Sequence, residues 1–490
     1  MSSFDIIVVG GGGTGLMAAY AAACEGRSVV VLEKGERLGG TTGLSVGTVT
    51  AAGTALQRAA GIHDDADAHF EDMGKFAGSR ANRDNLELRR LLVDHAAETI
   101  ALLTKLGIVF MGPLPEPPHR HPRMHAIIPH SRGFIDRLSA AGHSKGAVYR
   151  TSAQVERLVT SGGRVSGVAL AGGEVLEARR GVILASGDFS AAGDDYKSKY
   201  MSGPLLDIAG INPLSTGDGQ RIGEAVGGEV VNGDLAWGPE IRFKAPPTRS
   251  LVAKLPSSPL LARAILAAMK VVPQSMIRPF LLAFVTTYLA PAPALFRKGA
   301  ILVNASGARF CDECDRPQDH IGRQSGKSAW IVFGPAVAAA FQAWPNFIST
   351  APGVGFAYLS DYERTRPDIV HKASSLDELA RLIAVPGDAL RQSVETYNGS
   401  LPQGGERAPI DAGPFYALGP AISWIVFSEG GLRIDRNFRV LHRDGSPIRG
   451  LYAAGSVGQG GLLLEGHGHH LAWAFTSGRL AGRNAALAEA

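Results

Sequence analysis

Histidine and arginine crowd one proline-rich part of this chain. Between Gly112 and Gly133 lie His119, Arg120, His121, Arg123, His125, His130 and Arg132, among Pro113, Pro115, Pro117, Pro118, Pro122 and Pro129. Imidazole exchanges protons near neutral pH, and a stiff loop holds functional groups in place, so this stretch is a candidate site wall. The arginines crowding it oppose a cation, so no metal is assigned. Cys311 and Cys314 form one C-x-x-C. That is half of a zinc site with no second pair, which leaves a redox pair or two packed thiols.

The clearest chemical signature is at the start. Phe4 to Val9 is a β-branched apolar run that predicts a strand buried on both faces. Gly10, Gly12 and Gly15 follow in the spacing G-x-G-x-x-G, the Ala-rich stretch Leu16 to Cys24 predicts a helix, and Arg27 to Leu32 predicts a second strand ending at Glu33. Strand, glycine turn, helix, strand and acid in this order form the dinucleotide fingerprint. The first glycine permits the turn, the second lets the backbone approach a pyrophosphate, and the third lets helix and strand pack. The helix N-terminus presents free N–H groups to phosphate. Glu33 suits a ribose hydroxyl and disfavours a 2′-phosphate.

The elements that must position these groups need more than one core, because 490 residues exceed a single domain. Hydrophobic residues make up 45% and charged residues 19%, as in an ordinary globular protein. A net charge of +4 without a long basic block argues against nucleic acid. Three cysteines give no disulfide framework, and the first strand starts without a signal-peptide pattern, so a cytoplasmic location is expected. Leu251 to Pro293 is apolar but broken by prolines and by Lys254, Arg263, Lys270 and Arg278, so it is no transmembrane helix. It suits either amphipathic segments touching a membrane surface or covering an opening, or helices packed on a domain.

Further along, Gly39-Gly40-Thr41-Thr42-Gly43 forms a second small-residue loop, and His63 to Leu106 reads as helical. Gly112 to Gly133 reads as loop and Gly133 to Ala141 as helix. Val148 to Leu158, Arg164 to Leu170 and Val182 to Leu184 read as strands. Ala300 to Asn304 with Ala308 to Phe310 reads as a hairpin, Ser328 to Phe333 as a strand, and Leu376 to Gly399 as two helices. Gly450 to Gly455 is a strand with a glycine end, and a loop and helix close the chain.

Taken together, the G-x-G-x-x-G with Glu33, Gly39-Gly40-Thr41-Thr42, Ile183 to Gly187, Lys298 to Asn304, Gly430-Gly431-Leu432 and Gly450 to Gly455 resemble one family. It is that of FAD-dependent fumarate reductases, succinate dehydrogenase flavoproteins and 3-ketosteroid dehydrogenases. The resemblance implies an α/β Rossmann-like FAD-binding domain split in sequence (1–236 and 428–490), with an inserted α+β capping domain at 237–427. It implies FAD held by Gly10, Gly12, Gly13, Thr14, Gly15, Glu33, Lys34, Gly39, Gly40, Thr41, Thr42, Ser45, Gly47, Val155, Ala185, Ser186, Gly187, Asp188, Gly455, Ser456, Gly461 and Leu462. Some members bind FAD covalently through a His near the second glycine loop. No His lies between Gly39 and Ala60, so non-covalent FAD is expected.

The family adds or removes hydrogens across a carbon–carbon bond beside a carbonyl. Where fumarate reductases carry His-His-Thr-Met-Gly-Gly, this chain has Val426-Phe427-Ser428-Glu429-Gly430-Gly431, and its last loop has Leu462 to His470 without Arg. The dicarboxylate clamp is thus largely missing. An anion facing Phe427 and Glu465 would be poorly solvated, so fumarate and succinate are not the expected substrates. Arg316 stands where the reductase proton donor is expected, or else pairs with Glu313 or Asp315 in a cap loop. The ketosteroid dehydrogenases use tyrosines as base and acid; His119, His121, His125, His467, His469 and His470 stand in the comparable loops. Histidine does the same work near neutral pH, with His467 or His469 first and His121 behind them. Phe427, Ser428, Glu429, His119 and His470 are the expected substrate contacts. The expected reaction is dehydrogenation of a lipophilic carbonyl compound, with electrons passing to a separate acceptor. The alternatives are an enoate or ene reductase using Arg316, and a membrane-docking electron-transfer flavoprotein subunit seated through 251–293.

Overall fold

Ser2–Val9 ends in four buried β-branched residues that need cover on both faces, and a parallel sheet supplies it. In this computed structural model, which describes residues 2–246, 254–272, 282, 286, 289–351 and 355–489, that strand lies between Val29–Leu32 and Val175–Leu184. Ile6 is in register with Val29 on one side and Gly181 on the other. Val148–Arg150 extends the sheet beyond Val29–Leu32. On the far side Pro447–Ala453 pairs in parallel with Val175–Leu184, Leu451 opposite Val182. A strand from the last tenth of the chain thus completes the sheet begun by the first, and the dinucleotide fold is split in sequence.

Helix Gly13–Cys24 is built mostly from small residues, and ten of its 12 residues are buried because it is covered twice. One side meets the sheet and the other the C-terminal helix His469–Leu487. The second approach is very close. A Cβ at Gly478 would sit 2.5 Å from the carbonyl oxygen of Thr14, and one at Gly482 would sit 2.2 Å from that of Ala18. The helical reading of His63 to Leu106 resolves into Ala66–Ala77 and Leu86–Lys105, capped by Asp65 and Asn85.

A second sheet is centred on Phe415–Ile425. Ser328–Phe333, Glu240–Phe243 and Val370–Ala373 pair with it antiparallel, and Ile301–Val303 pairs with Ser328–Phe333. Its apolar clusters draw on residues between Ile241 and Ala421, whereas the first sheet's cluster draws on both ends of the chain. Ala209–Gly210 also joins this second sheet, so its backbone reaches back before Trp237.

Several expectations need correction. Gly112 to Gly133 is not simply loop: Val109–Leu114 and Met124–Ile128 are paired strands, and Met124–Ile128 also pairs with Thr48–Thr50. Val148 to Leu158 is two strands, Val148–Arg150 and Val155–Ser161. The hairpin after Ala300 is reduced to a strand and one bridge, Val303 to Arg309. Cys311 is partly buried and Cys314 exposed, so they are not two packed thiols. Of the 251–293 stretch, 254–272, 282, 286 and 289–293 are described; the rest, Arg278 included, lies outside the described residues. Pro259–Val271 is a helix leaving Leu260 and Val271 exposed. Among the described residues no helix is long and apolar enough to cross a membrane.

The close helix pair predicts a specific weakness. Gly482→Ala must push the C-terminal helix off Gly13–Cys24, and overpacking of this kind costs about 1–3 kcal/mol. A lower urea midpoint with an unchanged slope is the expected result.

Candidate functional site

One cavity of about 640 Å³ runs from the glycine turn to the second sheet, a size suited to a bound organic ligand. At the near end its wall includes Gly10, Gly12, Gly13, Thr14, Glu33, Lys34, Gly40, Thr41, Thr42, Ser45, Gly47, Val155, Ala185, Ser186, Gly187, Asp188 and Ser456. The three fingerprint glycines divide their roles. Gly10 adopts φ +111°, Gly12 lines the cavity with no atom nearer than 3.9 Å to a built Cβ, and a Cβ on Gly15 would lie 1.9 Å from Gly10 O. Gly15 therefore packs behind the wall. Helix Gly13–Cys24 opens on the cavity with no cap from its own N-cap residue, and Thr42 takes only the Gly13 N–H, so the helix N-terminus still suits phosphate oxygens.

Glu33 accepts hydrogen bonds from Gly11 N at 2.8 Å and Gly35 N at 2.7 Å, so it also clamps the turn. Lys34 pairs with Asp218 at 2.9 Å. Thr42 Oγ1 accepts from Gly13 N at 3.2 Å, and Asn212 donates to Thr41 Oγ1 at 2.9 Å. Burial raises the Asp188 carboxyl to about 6. Gly39 and Gly455 lie behind the wall: Gly39 N donates to Gly11 O and Gly455 N to Ser477 Oγ. Gly461 and Leu462 do not belong to this end. Gly461 O accepts from Asn85 N in a separate surface depression, and Leu462 is fully buried.

At the far end the wall carries Trp237, Glu240, Arg242, Leu289, Arg297, Phe347, Phe427, His467 and His470. Trp237 lies edge-on to Phe427 with ring centroids 5.1 Å apart, and 5.9 Å from His467. His467 Nδ1 is 2.5 Å from Glu116 Oε1, and that bond is the main reason its pKa is raised. His470 is 3.7 Å from Glu429, and burial lowers its pKa. Glu429 and Ser428 stand behind the wall: Glu429 accepts from Gln459, and Ser428 Oγ accepts from Phe189 N. Arg242 pairs with Glu240 at 2.9 Å. Arg297 has no ion pair among the described residues.

Four further sequence candidates, His469, His119, His121 and Arg316, lie off the cavity wall. His469 and His119 are buried with His69 and Phe76 instead. Burial brings His469 down to about 4 and His119 to about 2, and lowers His69 strongly. One nitrogen from each ring falls within 4.8 Å of the others. Arg123, however, donates to His119 Nδ1 at 2.8 Å and occupies that lone pair, so the trio packs as neutral rings. His121 is partly exposed and away from the wall. Arg316 is 62% exposed on its side chain and pairs with Asp319 at 2.6 Å, rather than with Glu313 or Asp315. Glu465 pairs with Arg80 and does not face the cavity. The other loop histidines are structural: His125 bonds Thr54 at 2.9 Å and His130 bonds Leu255 O at 2.9 Å.

Sequence reading missed Glu116, Asn212, Arg242 and Arg297. Glu116 sits among Pro115, Pro117 and Pro118, so only its proline-stiffened setting hinted at a fixed position.

The family described as FAD binding domain matches residues 5–252 and 270–463. NADH:fumarate oxidoreductase of Klebsiella pneumoniae (strain 342) is 29% identical over 93% of this chain and 44% of its own length. NADH:acrylate oxidoreductase of Vibrio harveyi is 26% identical over 98% of this chain and 50% of its own. The chain thus spans about half the length of these two relatives. 4-oxocyclohexanecarboxylate 2-dehydrogenase of Sinomonas cyclohexanicum is 26% identical over 99% of this chain and 93% of its own. A flavocytochrome c3 fumarate reductase in an open conformation has the same fold, with a TM-score of 0.74 at 24% identity over 99% of this chain and 78% of that one.

The near end fits FAD on its own geometry: a helix N-terminus on the cavity, Gly12 in its wall and a buried carboxylate at the second strand's end. The far end depends on Arg123, which anchors the loop bearing Glu116. Arg123 is fully buried between Asp64 (2.7 Å) and Asp72 (2.6 Å). Burial works against the Asp72 anion, yet bonds from Lys75, Arg120 and Arg123 hold its carboxyl well below the usual range. Arg123→Met removes the shared cation and is expected to cost about 3–5 kcal/mol, seen as a lower urea midpoint.

Proposed function

The chain belongs to the family of FAD binding domains, and on that premise we propose that it is an FAD-dependent oxidoreductase that dehydrogenates a carbon–carbon bond α,β to a carbonyl in a small, largely apolar ketone. One observation carries the reading: His467 faces an aromatic chamber formed with Trp237 and Phe427, in the same cavity as the glycine turn. When bound, FAD supplies a two-electron acceptor for hydride. The chain's own residues supply the rest. Trp237 and Phe427 bind the substrate's apolar face and exclude water. His467 takes the proton from the α-carbon as the β-carbon loses hydride and the double bond forms. The electrons then leave to a separate acceptor. The reductase alternative through Arg316 is disfavoured, because that side chain is exposed and already paired with Asp319.

A second reading concerns substrate charge. Arg242 and Arg297 stand on the cavity wall, so a ketone bearing one carboxylate finds a cation there. The Sinomonas relative is named for dehydrogenation of a cyclic keto-carboxylate. Among the described residues the wall carries no second cationic pair comparable to a dicarboxylate clamp, which still disfavours succinate.

Anaerobic bleaching of the yellow flavin band against neutral cyclic ketones, steroid ketones, cyclic keto-carboxylates and succinate tests both readings. Bleaching by one of the ketone classes is expected; bleaching by succinate alone overturns the proposal. If keto-carboxylates win, Arg297→Ala should raise their KM by about tenfold while leaving neutral ketones little changed. We also propose that FAD is held non-covalently, as no His occurs between Gly39 and Ala60. Acid precipitation should leave the flavin in the supernatant; yellow colour kept in the protein pellet contradicts this.

A further inference from the structure

We propose that Glu116 is a positioning residue for His467, fixing which imidazole nitrogen faces the cavity and holding the ring ready to accept a proton. This rests on the role given to His467 above. Glu116 belongs to the proline-rich loop before Met124–Ile128, and its side chain is 7% exposed. Its Oε1 accepts from His467 Nδ1 at 2.5 Å and from the backbone N of His467 at 2.8 Å. One oxygen thus grips both the ring and the main chain of a residue 351 positions away. With its proton on Nδ1, the ring turns the Nε2 lone pair outward, which is the nitrogen a general base needs.

The arrangement is a carboxylate–imidazole pair of the kind that orients a base and stabilises the cation it becomes. Two other charged groups act on His467. Glu240 also favours its protonated form and Arg242 opposes it, while burial opposes it too. Glu240 and Arg242 neutralise one another at 2.9 Å, which leaves Glu116 as the deciding charge. The other oxygen of Glu116, Oε2, is buried without a hydrogen-bond partner. A carboxylate placed only for stability would more commonly satisfy both oxygens.

The test uses the holoenzyme and the variant Glu116→Gln, which keeps the shape and removes the charge. The ring signal of His467 in histidine-labelled protein, assigned by its loss in His467→Gln, is titrated by NMR. The pH profile of anaerobic flavin reduction by the substrate found above is measured alongside. In Glu116→Gln the His467 titration should move to lower pH by about one pH unit. The acid limb of the rate profile should follow it, and the plateau rate should fall on the order of tenfold. Glu116→Asp should restore part of both. An unmoved titration overturns the pairing. A titration that moves while the rate profile stays in place overturns the positioning role and removes His467 as the base. The NMR arm does not depend on turnover, so failure of the whole substrate panel would leave the pairing separately decided. Unchanged flavin absorbance in the variant shows that the fold is kept.

Discussion

Parallel pairing of Pro447–Ala453 with Val175–Leu184 is the constraint on which the site depends. The backbone bonds of that ladder hold the last part of the chain beside the first. From there the chain runs through Ser456 and His467 into the helix His469–Leu487, which lies against Gly13–Cys24. Without this pairing, the turn at one end of the cavity and the histidines at the other would belong to unconnected parts of the molecule. The small residues follow from the same constraint. Two helices meeting with backbone against backbone leave no room for a Cβ at Gly478 or Gly482.

The two ends of the cavity use polarity differently. At the near end the work is done mainly by backbone N–H groups and hydroxyls, with Glu33 tying the turn to the second strand. These dipoles suit a large ligand held in one pose. At the far end the wall is aromatic, and its charges other than Arg297 are paired or held behind it: Glu240 with Arg242, Glu116 with His467, Glu429 near His470. A buried carboxylate beside an imidazole raises that imidazole's affinity for a proton, while an imidazole buried among rings loses it. His467 and His469 are two residues apart and fall on opposite sides of that rule. The difference lies in burial, complete for His469 and partial for His467, and in the direct bond that Glu116 makes to His467 alone.

Local patterns carried much of the fold. The run Phe4 to Val9, the glycine spacing and the Ala-rich helix are short-range signals, and each became the element its residues favour. The helical reading of His63 to Leu106 was met in part by the helix Leu86–Lys105. Proline content misled at Gly112 to Gly133, where pairing of Met124–Ile128 with strands on both sides overrode a loop-like composition. Within that loop, density of histidine did not reveal direction. His119 and His125 turn into the interior, His130 bonds a backbone carbonyl, and a glutamate without any motif reaches the site.

By itself the sequence determined the strand, glycine turn and helix at the near end of the cavity, because such a turn is made by consecutive residues whose backbone freedom is intrinsic to glycine. That residues from both ends share one sheet was implied only by the family resemblance, and the pairing of Pro447–Ala453 with Val175–Leu184 is a tertiary contact. Only the tertiary structure decided which ionisable groups meet the cavity. Arg316 was drawn to Asp319 at the surface, while Glu116 crossed 351 residues to reach His467. The reason is physical: proton affinity and charge depend on burial and on the nearest partner, and neither is a property of position along a chain.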